Sequence, residues 1–127
     1  MENNVHTWFE VYSPDTESGK KFYADVFGWS SEDMDMGDFM YPMLKSGDKP
    51  FHAGMMSLKS PDMEGVPPHW LIYFHTADID ATLSKIDAAG GKTVHGPMDI
   101  PGVGRIAIVH DNGGAHFAVH QPAPMEG

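Results

Sequence analysis

The chain has 127 residues, a formal net charge of -10 and no cysteine. That length suits one domain, or two small modules sharing a core, and 41% hydrophobic residues suit a soluble globular protein with a core to bury. The charge argues against nucleic acid and against anionic membrane surfaces, which both call for Lys and Arg. The absence of cysteine removes disulfides and thiolate chemistry and accords with a cytoplasmic location.

The N-terminal "MENNVHTWFE" lacks the basic and apolar regions of a signal peptide. No apolar run approaches the roughly 18 residues of a membrane span. The ten methionines read mostly as adaptable core filler.

In chain order, His6 to Tyr12 reads as a strand, with aromatic and β-branched content. "SPDTE" follows as a helix start, with Ser13 or Asp15 as cap. Phe22, Tyr23, Val26 and Phe27 recur at helical spacing, and Gly28 stops the helix. The acidic run "SSEDMDMGD", 30–38, reads as a solvated loop. "FMYPMLKSGDKPFHAGMMSLK" reads as short strands joined by a turn at "SGDKP", and "MEGVPP", 63–68, as a linker.

The second half repeats that order. His69 to Thr76 is a strand and Asp78 caps a helix. Ile79, Leu83 and Ile86 form the buried stripe of that helix, and Gly90-Gly91 ends it. "HGPMDIPGVG" reads as a loop. "RIAIVHD" and "AHFAVHQP" flank the tight-turn signal "NGG" as a hairpin. His6, Asp15 and Gly28 recur at an offset of 63 as His69, Asp78 and Gly91. The expected fold is α+β: two βαβββ modules, 5–62 and 69–122, in a single domain.

Paired modules with these markers resemble the vicinal oxygen chelate superfamily of glyoxalases, bleomycin resistance proteins and extradiol dioxygenases. The stretches "FEVYSPD", "FYADVFGW", "GMMSL", "PPHWLIYF" and "IPGVGRIAIVHDNGGAHFAVHQP" look most like a glyoxalase-like branch of undefined function. The resemblance implies a curved mixed sheet forming a half-barrel around a pocket, and a homodimer. In metal-dependent members it implies ligands on the first and last strand of each module. Carried over, those positions fall on His6, on His69, near Met55 or Met56, and on Ala118. Two imidazoles are present where two further donors are absent, which leaves a weak site for Zn, Ni, Fe or Mn.

Strand alternation sorts the remaining side chains. With His6 facing the pocket, Trp8, Glu10 and Tyr12 face it too, while Phe9 and Val11 face the helix. With His69 facing in, so do Leu71, Tyr73 and His75, and in the last strand His116, Ala118 and His120 share a face. With Met55 added as the last-strand position that the resemblance implies, the candidate pocket comprises Trp8, Glu10, Met55, Tyr73, His75, Ala118 and His120.

Three readings remain open. A small organic molecule binds there without metal, packed by Trp8 and Tyr73. Alternatively, His6 and His69 hold a divalent ion for lyase, isomerase or dioxygenase chemistry, with Glu10 as general base. Or the histidines are hydrogen-bonded pocket residues with no special role. His52, His95 and His110 read as exposed, and Arg105 as a rim contact for a carboxylate. "GVGR" does not join a strand to a helix and is rejected as a phosphate loop.

Overall fold

The computed structural model describes the backbone of residues 6–123 and the side chains of 8–61 and 63–123. Among the described residues, eight strands and two α-helices follow the repeated order. The first module holds β1 (His6–Ser13), α1 (Thr16–Phe27), β2 (Ser30–Asp35), β3 (Met40–Lys45) and β4 (Ala53–Ser57). The second holds β5 (His69–His75), α2 (Ile79–Ala88), β6 (Lys92–Ile100), β7 (Gly104–His110) and β8 (His116–Pro122). The α+β class and the two βαβββ modules are therefore as the sequence predicts. By its contacts the chain divides into two compact units, one of them Trp8–Leu71.

Both helices begin as their caps dictate. Asp15 and Asp78 are extended, and each carboxylate accepts the N–H three residues on, from Ser18 and Ala81 at 3.1 Å. Gly28 ends α1 at φ 73°, a left-handed conformation that glycine adopts without steric cost.

Within the first module the strand order is β2-β3-β4-β1. β1 and β4 are parallel, with Glu10 opposite Gly54 and Val11 opposite Met55, while β2–β3 and β3–β4 are antiparallel. Val11, Leu44, Ala53 and Met55 form its buried core, with Phe9, Tyr23 and Trp29 packed against them. Phe9 and Val11 thus occupy the apolar side, as alternation predicts. Of the helix's apolar residues only Tyr23 joins this core. Phe22, Val26 and Phe27 are each more than half exposed.

The second module has the matching order β5-β8-β7-β6. β5 and β8 are parallel, with Tyr73 opposite Ala118 and His75 opposite His120. Its core is Ile79, Ala107, Val109 and Val119, with Leu83, Ile86 and Phe117 against it. The predicted stripe of α2 is therefore the one that packs.

Two local expectations are corrected. The acidic run is not a loop: 30–35 form β2, an edge strand exposed along its whole length. Its charges suit an edge, because they discourage pairing with another sheet. Nor is "HGPMDIPGVG" all loop, because its first six residues continue β6, with register shifts against β7 between Thr93 and Met98. Sequence alternation is lost at such irregularities, so the strand is not visible as a period. Of the three histidines read as exposed, only His95 is so. His52 packs edge-on against Trp29 at 4.5 Å, and half-buried His110 lies 5.5 Å from the His116 ring. Among the described residues no helix is long and apolar enough to cross a membrane.

The β7–β8 turn provides a pH-dependent element. Asp111 Oδ1 accepts the N–H groups of Ala115 and Gly113, each at 2.9 Å. The Ala115 and Gly113 amides hold this carboxyl below the usual carboxylate range. A depressed folded-state value stabilises above the unfolded value of about 3.9 and is lost as pH falls through the folded one. Asp111→Asn should therefore lower the melting temperature slightly at neutral pH. The gap to the parent protein should close on acidification below about pH 4, as followed by circular dichroism.

Candidate functional site: a buried carboxylate between two phenols

Residues 8, 10 and 12 of β1 share the face opposite Val11, and on that face stands Glu10, 5% exposed. A buried carboxylate is costly unless hydrogen bonds replace its water. Here two phenols do so. Tyr12 O–H donates to Oε2 at 2.8 Å and Tyr41 O–H, from β3, donates to Oε1 at 2.7 Å. Tyr41 in turn accepts from Trp8 Nε1–H at 2.9 Å. Burial first, and then the Glu10 charge, push the Tyr41 phenol well above the usual tyrosine range. It remains a hydrogen-bond donor at any ordinary pH.

Glycine at position 54 makes this arrangement possible. A Cβ there would overlap the hydroxyl and ring of Tyr41, so the absent side chain leaves the space the phenol fills. The register also places Gly54, not Met55, as the counterpart of Ala118. Gly54 stands opposite Glu10 as Ala118 stands opposite Tyr73, and Glu10 and Tyr73 are 63 apart. Met55, expected in the pocket, belongs to the apolar core with Val11 on the other face of the sheet. Strand alternation permits only one of two neighbours on a face.

Tyr12 links the carboxylate to His69. The two rings stack at 4.7 Å with an interplanar angle of 3°. His69 Nδ1 lies 2.7 Å from the Pro67 carbonyl. A carbonyl only accepts, so Nδ1 carries the proton in this hydrogen bond. The His6 backbone lies in β1, but its side chain is outside the described residues.

In the second module Tyr73 and His75 are each 7% exposed and Ala118 is fully buried. Half-buried His120 donates Nε2–H to the Val103 carbonyl at 2.8 Å. His116, expected on the same face, is exposed. Arg105, expected as an anchor for a carboxylate, is already paired with Asp80 at 3.0 Å and Asp99 at 3.1 Å.

These residues do not fit a resident divalent ion. Both oxygens of Glu10 are engaged by phenols, and Gly54 and Ala118 bring no donor. Among the described residues no three His, Cys, Asp or Glu side chains converge. Two imidazoles alone fall short of the three or four protein ligands usual for zinc.

The match to known proteins now has a structural footing. The family model of the Glyoxalase/Bleomycin resistance protein/Dioxygenase superfamily matches residues 6–119. The chain belongs to this superfamily.

Among curated relatives, the "Putative glyoxylase CFP32" of Mycobacterium tuberculosis is 38% identical over 126 residues, 98% of this chain and 47% of that protein. The anthracycline biosynthesis protein DnrV of Streptomyces peucetius is 35% identical over 133 residues, 94% of this chain and 48% of that one. The chain thus spans about half the length of the curated relatives it matches. Solved structures of methylmalonyl-CoA epimerases share the fold. One has a TM-score of 0.67 at 16% identity, covering 98% of this chain and 99% of that one. Another, from Streptomyces coelicolor in complex with 2-nitronate-propionyl-CoA, has 0.66 at 20% identity, covering 97% and 100%. Superfamily members that use a divalent metal are common, but a shared scaffold does not transfer a donor set.

Tyr41 escapes sequence reasoning altogether, since no spacing connects it to Glu10, 31 positions away. Its role gives a direct test. Tyr41→Phe removes the donor to Oε1 and the acceptor for Trp8 Nε1–H while preserving the ring. The loss in denaturant unfolding should be about 1–3 kcal/mol, with a change in indole emission from Trp8.

Proposed function

We propose that this chain binds a small organic molecule and does so without a resident metal. Each module, taken by itself, presents candidate binding groups on the face of its opening strand. In the first module these are Trp8 and Glu10, with Tyr41 as a third member. In the second they are Tyr73 and His75, beside Ala118 and His120. The observation that carries the reading is the clamped Glu10 carboxylate, held at both oxygens by phenols. A carboxylate fixed in this way is a preorganised acceptor and a local negative charge, suited to orienting a ligand. A base or a metal ligand would need one oxygen released.

The alternative is metal-dependent lyase, isomerase or dioxygenase chemistry. One observation favours it. His69 donates Nδ1–H to a backbone carbonyl, which is the support a metal-ligating imidazole ordinarily has. Homodimerisation and a cytoplasmic location remain parts of the proposal.

Metal analysis and thermal unfolding separate the two. After equilibration with excess zinc, nickel, iron or manganese and desalting, the protein should retain only substoichiometric ion. A small-molecule screen should contain binders that raise the melting temperature, since a ligand at 100 times its Kd adds about 2.7 kcal/mol. Glu10→Gln should abolish that rise. Near-stoichiometric metal that disappears in His69→Ala would establish the alternative instead.

A further inference from the structure

A second place in the first unit has the makings of a binding site. A cleft of about 430 Å³ opens beside the end of β1, the first turns of α1 and the start of β5. That volume lies within the range of small-molecule pockets, ~300–1,000 Å³. Its walls are largely aromatic: Tyr12, Phe22, Tyr23 and Trp70 line it, together with His69 and Asp15. Phe22 is 57% and Trp70 42% exposed, an unusual position for rings of that size.

The rings are held in place. Trp70 Nε1–H donates to the Tyr23 hydroxyl at 3.1 Å, and the two rings meet edge to face at 5.6 Å. Tyr12 is fixed by Glu10 and by its stack on His69. Gly19 lets this stretch of α1 lie close against the core, since a Cβ there would come to 3.0 Å from Met55 Sδ.

The charges around the cleft have one sign. Among the described residues, Asp15 is the only Asp, Glu, Lys or Arg in the lining. Its Oδ1 accepts Ser18 N–H as the helix cap, and neither oxygen has a cationic partner among the described residues. The lysines of α1 are committed elsewhere, Lys20 to Glu17 at 2.6 Å and Asp33 at 3.3 Å, and Lys21 to Asp25 at 2.6 Å. The net charge of -10 adds a favourable field for a cation and an unfavourable one for an anion. Aromatic faces attract cations through their ring quadrupole.

We infer that this cleft binds planar aromatic cations, such as protonated or quaternised heteroaromatic amines, between Trp70 and the neighbouring rings, with Asp15 as counter-charge. The site is distinct from the Glu10 carboxylate and does not depend on the reading proposed above.

The test uses three probes with the same two-ring aromatic frame: N-methylquinolinium, neutral quinoline at pH 7.5, and 1-naphthoate. Binding to the full chain is measured by calorimetry and by the NMR shift of the Trp70 indole N–H. N-methylquinolinium should bind saturably, roughly tenfold more tightly than quinoline, and 1-naphthoate should bind more weakly still. Trp70→Leu should weaken the cation roughly tenfold, whereas Trp70→Phe, which retains a π face, should stay within about threefold. Asp15→Asn retains a capping residue and should weaken the cation about threefold. Equal binding of naphthoate, unchanged binding in Trp70→Leu, equal loss in the Phe and Leu variants, or no saturable binding of the cation would each overturn the inference.

Discussion

In each module the first and last strands lie side by side and run parallel. A parallel pair cannot be closed by a tight turn, so the chain between them must make a long crossover. Here that crossover is a helix and two antiparallel strands. The geometry of the module follows from it. The helix must lie over one face, which makes Val11 and Met55, or Val119, core residues. The opposite face receives Glu10 beside Gly54 in one module and Tyr73 beside Ala118 in the other. The small residue in each case leaves room beside the larger one.

The first module uses that room for Tyr41. Trp8, Tyr41, Glu10 and Tyr12 form a connected hydrogen-bond network, and networks of this kind are stable only when each buried member has its partners. The sidedness is consistent throughout: every link donates toward the carboxylate. The same network restrains Tyr12, and through its stack the His69 ring. The second module has no carboxylate at the equivalent position, since Tyr73 stands where Glu10 would. Repetition of the backbone therefore carries different chemistry in its two copies, which is how one scaffold comes to serve many reactions.

Much of this fold was legible as pattern. Asp15 and Asp78, each followed thirteen residues later by glycine, mark the two helices and the repeat. Ile79, Leu83 and Ile86 mark the buried side of α2, and "NGG" marks the closing hairpin. Patterns failed where the structure departs from regular periodicity. β2 is exposed on both faces and carries no alternation, and β6 loses it at its register shifts. α1 misled in a different way. Its apolar residues are real, but three of the four lie toward solvent, and periodicity alone does not say which side of a helix is covered.

By itself the sequence determined the local chemistry: helix caps, turn residues, the alternation in β1 and β5, and the doubling of a βαβββ unit. Each of these depends on residues close together in the chain, or on the same short pattern occurring twice. Only the tertiary structure decided the partners of Glu10 and the side of the sheet that Met55 occupies. Those depend on the register of β4 against β1 and on the reach of Tyr41 to Glu10, across about 30 to 45 intervening residues. A one-residue change of register reverses every side chain, and nothing local in the sequence specifies that register. It is specified by burial, by Val11 and Met55 finding one side of the sheet and Glu10 and Tyr41 the other.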